Sequence, residues 1–106
     1  MVEQLKDEEL DDFVLKHDIV LLDIFTTWCG PCKMQAAVLE EVAKEANPKQ
    51  VAIAKMDADE CPVTSGRFKI TAIPTLVIFK KGKAVKTTVG LTQKAALLKD
   101  LAMFKK

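Results

Sequence analysis

Cys29 and Cys32 stand three residues apart in Trp28-Cys29-Gly30-Pro31-Cys32-Lys33. At that spacing two thiols share one side of a helix's first turn, close enough to be oxidised and reduced without large backbone movement. Cys29 falls where a strand pattern gives way to a helix pattern, and there free amides and the positive end of the helix dipole stabilise a thiolate. It is the expected nucleophile. Cys32, one turn further in and more covered, is the expected resolving thiol, which attacks a mixed disulfide and frees the reduced product. Gly30 lets the backbone turn tightly, and Pro31 takes a first-turn position where its missing N–H costs nothing. Trp28 offers either an apolar surface to a substrate peptide or ordinary rim packing.

Other chemistries fit these residues less well. His17, Cys29, Cys32 and Cys61 are soft ligands, but their order and spacing do not match the paired ligands of a structural zinc site, so no metal is expected. A Cys–His hydrolase needs a base beside its thiol, and nothing in the spacing brings His17 there. His17 reads as a solvated residue after the first helix. Cys61 reads as a small residue opening a short helix; its alternative is a regulatory thiol for glutathionylation or a disulfide-linked dimer, since helix starts activate thiols.

The elements that must hold the pair can be read on either side of it. Ile19 to Thr26 has apolar residues on both alternating faces, as a central strand covered by helices on both sides requires, with Asp23 intruding on one face. From Cys32 to Ala46, Met34, Val38 and Val42 recur every four positions and Leu39, Ala36 and Ala43 widen the stripe, until Asn47-Pro48 stops the helix. Val51 to Met56 is another buried strand, which completes a strand–helix–strand crossover of a parallel sheet. Before this unit, Asp7 is expected to cap a helix whose inner face is Leu10, Phe13 and Val14. After it, Pro62 opens a short helix to about Phe68, with Asp59 or Cys61 near its cap. Thr75–Phe79 and Ala84–Val89 flank Lys80-Lys81-Gly82-Lys83 as an antiparallel hairpin. Thr92 is expected to cap a last helix that turns Leu97, Leu98, Leu101 and Phe104 inward, with Lys105 and Lys106 suiting its dipole.

The chain of 106 residues has the size of one domain, 1–106, with a core that needs no disulfide staples. Sixteen basic residues against fifteen acidic ones give no electrostatic grip on nucleic acid. The start of the chain is acidic and polar where a signal peptide would be basic and then apolar, and no stretch is long enough to span a bilayer. The expectation is a cytoplasmic protein without membrane contact. In that reducing compartment a cysteine pair is catalytic, redox-sensing or metal-binding rather than a staple.

WCGPCK, Ile73-Pro74-Thr75, Asp23 six residues before Cys29, and Gly90 near the last helix together resemble the thioredoxin family, in order and over essentially the whole chain. The resemblance implies an α/β thioredoxin fold: a central mixed five-stranded sheet flanked by four helices, βαβ then ββα. The local pattern supplies four of those strands; the fifth falls to the short Val2 to Leu5 stretch. It further implies a monomeric protein-disulfide reductase that needs no cofactor beyond its own dithiol, recharged by a thioredoxin reductase, with NADPH serving only through that reductase. Its partners are then disulfide-containing proteins. Asp23 reads either as an acid at a strand end reaching water or, by the same resemblance, as a buried proton acceptor for Cys32 with Lys55 as a moderating charge. Desolvation among Ile and Leu residues raises such a carboxyl's pKa. Pro74, ordinarily a trans residue at a strand start, is by resemblance a cis proline facing the dithiol and barring metal ions from it. Ile73 then pairs by its backbone with an extended substrate, in a groove shared with Trp28, Gly30, Pro31 and Gly90.

The chain departs from the family's commonest pattern at Phe25, at the polar Thr26-Thr27, at Ala37 in place of a helix-kinking proline, and at Ala72 in place of a glycine. None touches the thiols, so these bear on partner preference. The competing reading is a thioredoxin-fold adaptor or subunit that binds partners through the Trp28/Pro74 groove without turnover, although an adaptor has no need of Cys32.

Overall fold

The computed structural model describes residues 2–105; the expected dipole contribution of Lys106 lies outside them. In chain order the elements are β1 (Val2–Gln4), a 3-10 turn (Asp7–Glu9), α1 (Leu10–Lys16), β2 (Ile19–Phe25), α2 (Gly30–Glu45), β3 (Val51–Asp57), α3 (Pro62–Arg67), β4 (Thr75–Lys80), β5 (Lys83–Val89) and α4 (Lys94–Phe104). The five strands form one sheet in the order β1-β3-β2-β4-β5. β1 and β2 run parallel to β3, while β4 runs antiparallel to both β2 and β5. The mixed sheet and four α-helices are those implied by the resemblance. The fifth strand is the short N-terminal one: Val2 pairs with Ile53 and Gln4 with Lys55.

β2 lies in the middle because both of its faces are apolar. Val20, Leu22 and Ile24 enter a core layer with Leu10, Val14, Met56, Val77 and Phe79, while Ile19 and Leu21 enter a second with Leu39, Val42, Ile78, Leu97 and Leu101. Complete burial of such a side chain is worth about 1.5–3 kcal/mol, so these layers fix the strand's register and hence the position of whatever follows Phe25. The β4–β5 turn is set by Lys81 and Gly82, whose φ angles of 51° and 84° lie in the left-handed region that a two-residue hairpin requires.

Three local expectations are corrected. Asp7 does not cap the first helix: its carboxylate accepts hydrogen bonds from the Val63 and Thr64 amides (3.0 and 2.8 Å) and the Thr64 hydroxyl (2.6 Å). It thereby caps α3, to which Cys61 contributes no side-chain bond. Thr92 does not cap α4; Gln93 holds that position without a side-chain bond, and the Thr92 hydroxyl donates to the Gly90 carbonyl at 3.1 Å. Met34 is 60% exposed, and the buried stripe of α2 is Cys32, Gln35, Leu39 and Val42. That 3-4-3 spacing follows the helical period more closely than a strict repeat of four, which drifts around the helix.

Candidate active site

β2 delivers the chain to the end of the sheet at Phe25, and α2 starts five residues later at Gly30. Cys29 is the N-cap of α2, with extended backbone (φ −98°, ψ 114°), and its sulfur accepts the Cys32 amide at 3.2 Å. A sulfur so placed takes up one of the helix's free donors, the arrangement that favours a thiolate. Cys29 and Cys32 are joined as a disulfide, with Cα atoms 5.3 Å apart. At 6% and 4% exposure the two are almost equally covered, so covering separates their roles less than position on the helix does.

Trp28 is 71% exposed, and its indole N–H donates to the Asp59 carboxylate at 2.8 Å. The bond pins a large apolar face at the rim of the site. Asp59 is held in turn by its amide, which donates to the Asp57 carboxylate at 2.9 Å.

Asp23 pairs in register with Lys55 on β3 and Leu76 on β4. It is 1% exposed, and its Oδ1 has no hydrogen-bond partner. Burial pushes its carboxyl up to about 7, against the opposing pull of the Lys55 ammonium. Asp23, Lys55, Thr26, Lys33, Ala36 and Cys32 line one pocket of about 240 Å³. Thr26 Oγ1 is likewise buried without a partner. The two orphaned oxygens on the wall of a pocket of that size are groups that an ordered water can satisfy. The Lys55 ammonium also lies 5.7 Å from the centre of the Phe25 ring, within cation–π range.

The Ile73–Pro74 peptide bond is cis. Thr75 opposite both Ile24 and Val89 puts Pro74 and Gly90 at the end of the sheet where β2 hands over to α2. Gly90 has a φ of 95°, a conformation costly for any residue with a Cβ, and its amide donates to the Pro74 carbonyl at 2.8 Å. Ile73 is half-buried beside it, and Gly30 and Pro31 are exposed on the first turn of α2.

Cys61 is not part of this gathering. It is 2% exposed, packs in the core layer with Leu5 and Met56, and points its sulfur at the Leu5 carbonyl at 3.7 Å. Burial pushes its thiol up, and the Asp7 and Asp57 carboxylates add to the effect. His17, expected to be solvated, is half-buried instead, its ring tilted against Phe13 with centroids 4.7 Å apart, and it does not line the pocket of Cys32.

Sequence reasoning missed Asp59 as the partner of Trp28 and Gln35 as a buried residue of α2. The first lies 31 residues away and leaves no local signal. The second had one: an amide three after Cys32 and four before Leu39, on the apolar face of a helix.

A family model described as thioredoxin matches residues 1–103. The chain is 47% identical over 91 residues to a thioredoxin from Mycobacterium tuberculosis, covering 86% of this chain and 78% of the relative. It is 40% identical over 99 residues to a thioredoxin from Rickettsia prowazekii, covering 92% of this chain and 93% of the relative. A bifunctional thioredoxin reductase/thioredoxin from Mycobacterium leprae is 46% identical over 91 residues, which cover 86% of this chain and 20% of that protein. Among solved structures, a mutant thioredoxin from Halobacterium salinarum superposes with a TM-score of 0.91 at 33% identity, covering 99% of this chain and 91% of the other. A disulfide at a helix N-cap on this sheet, and likeness over nearly the full length, carry one conclusion: the chain belongs to the thioredoxin family and is a thiol–disulfide oxidoreductase.

Proposed function

We propose that the chain works as a single-domain reductant of protein disulfides, with Cys29 as nucleophile and Cys32 as resolving thiol. The Cys29 thiolate attacks one sulfur of a substrate disulfide, and the other substrate sulfur leaves as a thiolate and takes a proton. Cys32 then gives its proton to the Asp23 carboxylate and attacks Cys29, which releases the second substrate sulfur and leaves the Cys29–Cys32 disulfide. Two electrons pass to the substrate. The observation that carries this reading is the pocket shared by Cys32, Asp23 and Lys55, next to a disulfide held at the helix N-cap. A carboxyl poised near 7 can both take and return a proton at neutral pH. Lys55 limits how far that carboxyl is raised.

The docking edge in this reading is formed by Trp28, Gly30, Pro31, Ile73, Pro74 and Gly90, with the Ile73 backbone as a pairing edge for an extended segment. Cys61, with its thiol raised and buried, is read as a packing residue. Reduction is by the protein's own dithiol, without a resident cofactor. A thioredoxin reductase is the proposed electron donor, a pairing favoured by the fused arrangement named in the Mycobacterium leprae relative. No helix among the described residues is long and apolar enough to cross a membrane. We place the working protein in the cytoplasm as a monomer, because a reductant is kept reduced there. NADPH oxidation in a mixture of this protein, a thioredoxin reductase and insulin tests the reading. Steady consumption that stops when insulin is omitted is expected, whereas binding to insulin without consumption points to an adaptor.

A further inference from the structure

Of the four buried residues on α2, Cys32, Gln35, Leu39 and Val42, Gln35 alone carries an amide, and it is wholly without exposure. Its Nε2 donates to the Thr92 carbonyl at 2.9 Å, and its Oε1 accepts the Thr92 amide at 2.7 Å. One side-chain amide thus satisfies both backbone groups of one residue, as a neighbouring strand would, and the reversed orientation would set like against like. Thr92 lies between β5 and α4. Its hydroxyl donates to the Gly90 carbonyl at 3.1 Å, and the Gly90 amide donates to the Pro74 carbonyl at 2.8 Å. A continuous line of hydrogen bonds therefore runs from α2, three residues past Cys32, to Pro74.

Burying an amide is costly unless its donors and acceptor are engaged, and a leucine would fill the same place on the stripe without that requirement. The buried amide is accounted for by what it holds. We infer that Gln35 is a positioning residue. It fixes the Gly90 loop and the Pro74 carbonyl relative to the dithiol and so sets the fit of an extended protein segment, without touching the reacting sulfurs. The inference rests on the reading of Pro74 and Gly90 as the docking edge. It assigns substrate fit to a side chain that no substrate reaches.

The test compares wild type, Gln35→Met, Thr92→Val and the double variant, each reducing insulin and the small aromatic disulfide dithiobis(nitrobenzoate). Gln35→Met keeps the volume and removes both bonds to Thr92, and Thr92→Val breaks only the next link, to Gly90. Loss of buried hydrogen bonds that hold the groove is expected to raise KM for insulin by about five- to tenfold in Gln35→Met, and by less in Thr92→Val. The kcat and the rate with the small disulfide, which needs no groove, stay within about twofold of wild type. Because both substitutions cut one line, the double variant should raise KM by less than the product of the two single effects. An unchanged KM in Gln35→Met overturns the inference and leaves Gln35 as core filling. Equal losses on insulin and the small disulfide also overturn it, since they place the effect at the sulfurs. If Gln35→Met does not fold, Thr92→Val decides alone: a raised KM with unchanged small-disulfide rate supports the line, and no change overturns it. A wild type that reacts with the small disulfide but never saturates with insulin defeats the docking-edge reading itself, and the inference with it.

Discussion

Asp23 is where burial and function conflict most directly. A carboxyl at 1% exposure with an unpaired Oδ1 is favoured in its protonated form, so the folded protein holds a proton that the unfolded chain, with a carboxyl near 4, has already released. With the folded value raised to about 7, folding stability falls as pH rises from about 4 to 7 and then levels off. At pH 8 the ionised group costs on the order of 4 kcal/mol before relaxation of its surroundings. Asp23→Ala is therefore expected to be more stable than wild type at pH 8, with the gain shrinking toward pH 5, as denaturant midpoints at the two values will show. If Asp23 is the proposed acceptor for the Cys32 proton, the same variant should resolve mixed disulfides more slowly. A variant no more stable than wild type at pH 8 would contradict the assignment of Asp23 as a desolvated acid. That an acid interrupts the apolar run from Ile19 to Phe25 is visible in the sequence; that its carboxylate opens on the pocket of Cys32 depends on how α2 packs over the sheet.

At the scale of elements, α3 is short and owes its start to a residue far away in the chain. Asp7 takes the Val63 and Thr64 amides and the Thr64 hydroxyl, tying the segment after β1 to α3. Burial opposes its ionised form, but the hydrogen bonds from Thr64 and Val63 outweigh that, and its carboxyl is held below the usual range. Asp7→Ala should cost about 1–2 kcal/mol at neutral pH, the worth of a helix cap, read as a lower denaturant midpoint at unchanged m. Its sign with pH is opposite to that of Asp23: the contribution is present above pH of about 4 and is lost as pH falls through the lowered folded value. An unchanged midpoint would mean water replaces the cap without loss. Local rules named Asp7 as a cap but assigned it the wrong helix, since the first apolar-periodic run after it is α1 whereas its actual partners lie 56 and 57 residues on. Thr92 misled as well, because α4 starts one residue later, after Gln93, and the Thr92 hydroxyl is turned to the Gly90 carbonyl. The existence of α1 and α4, by contrast, was legible, since the stripes of Leu10 and Val14 and of Leu97 and Leu101 are purely local patterns, whereas α3 has no such stripe.

Across the whole molecule, the sheet order brings three remote segments to one end. β2 ends at Phe25 beside the start of α2, and the Ile24–Thr75–Val89 register sets Pro74 and Gly90 alongside. The crossover and the hairpin were readable from runs buried on both faces and from the Gly82 turn. β1 was not readable from local pattern, because three residues with one apolar side chain carry too little periodicity; pairing with β3 is what makes it a strand. The cis geometry at Pro74 was equally silent in local sequence and came only from likeness to the family. The central claim is that electrons leave through Cys29 and that Cys32 closes the cycle. It is tested most directly by mixing reduced Cys32→Ser and Cys29→Ser variants with a disulfide-containing protein and weighing the intact products by mass spectrometry. The account predicts a stable mixed disulfide with Cys32→Ser and none with Cys29→Ser. Trapping through Cys32 in the Cys29→Ser variant, or no adduct in either, would contradict it.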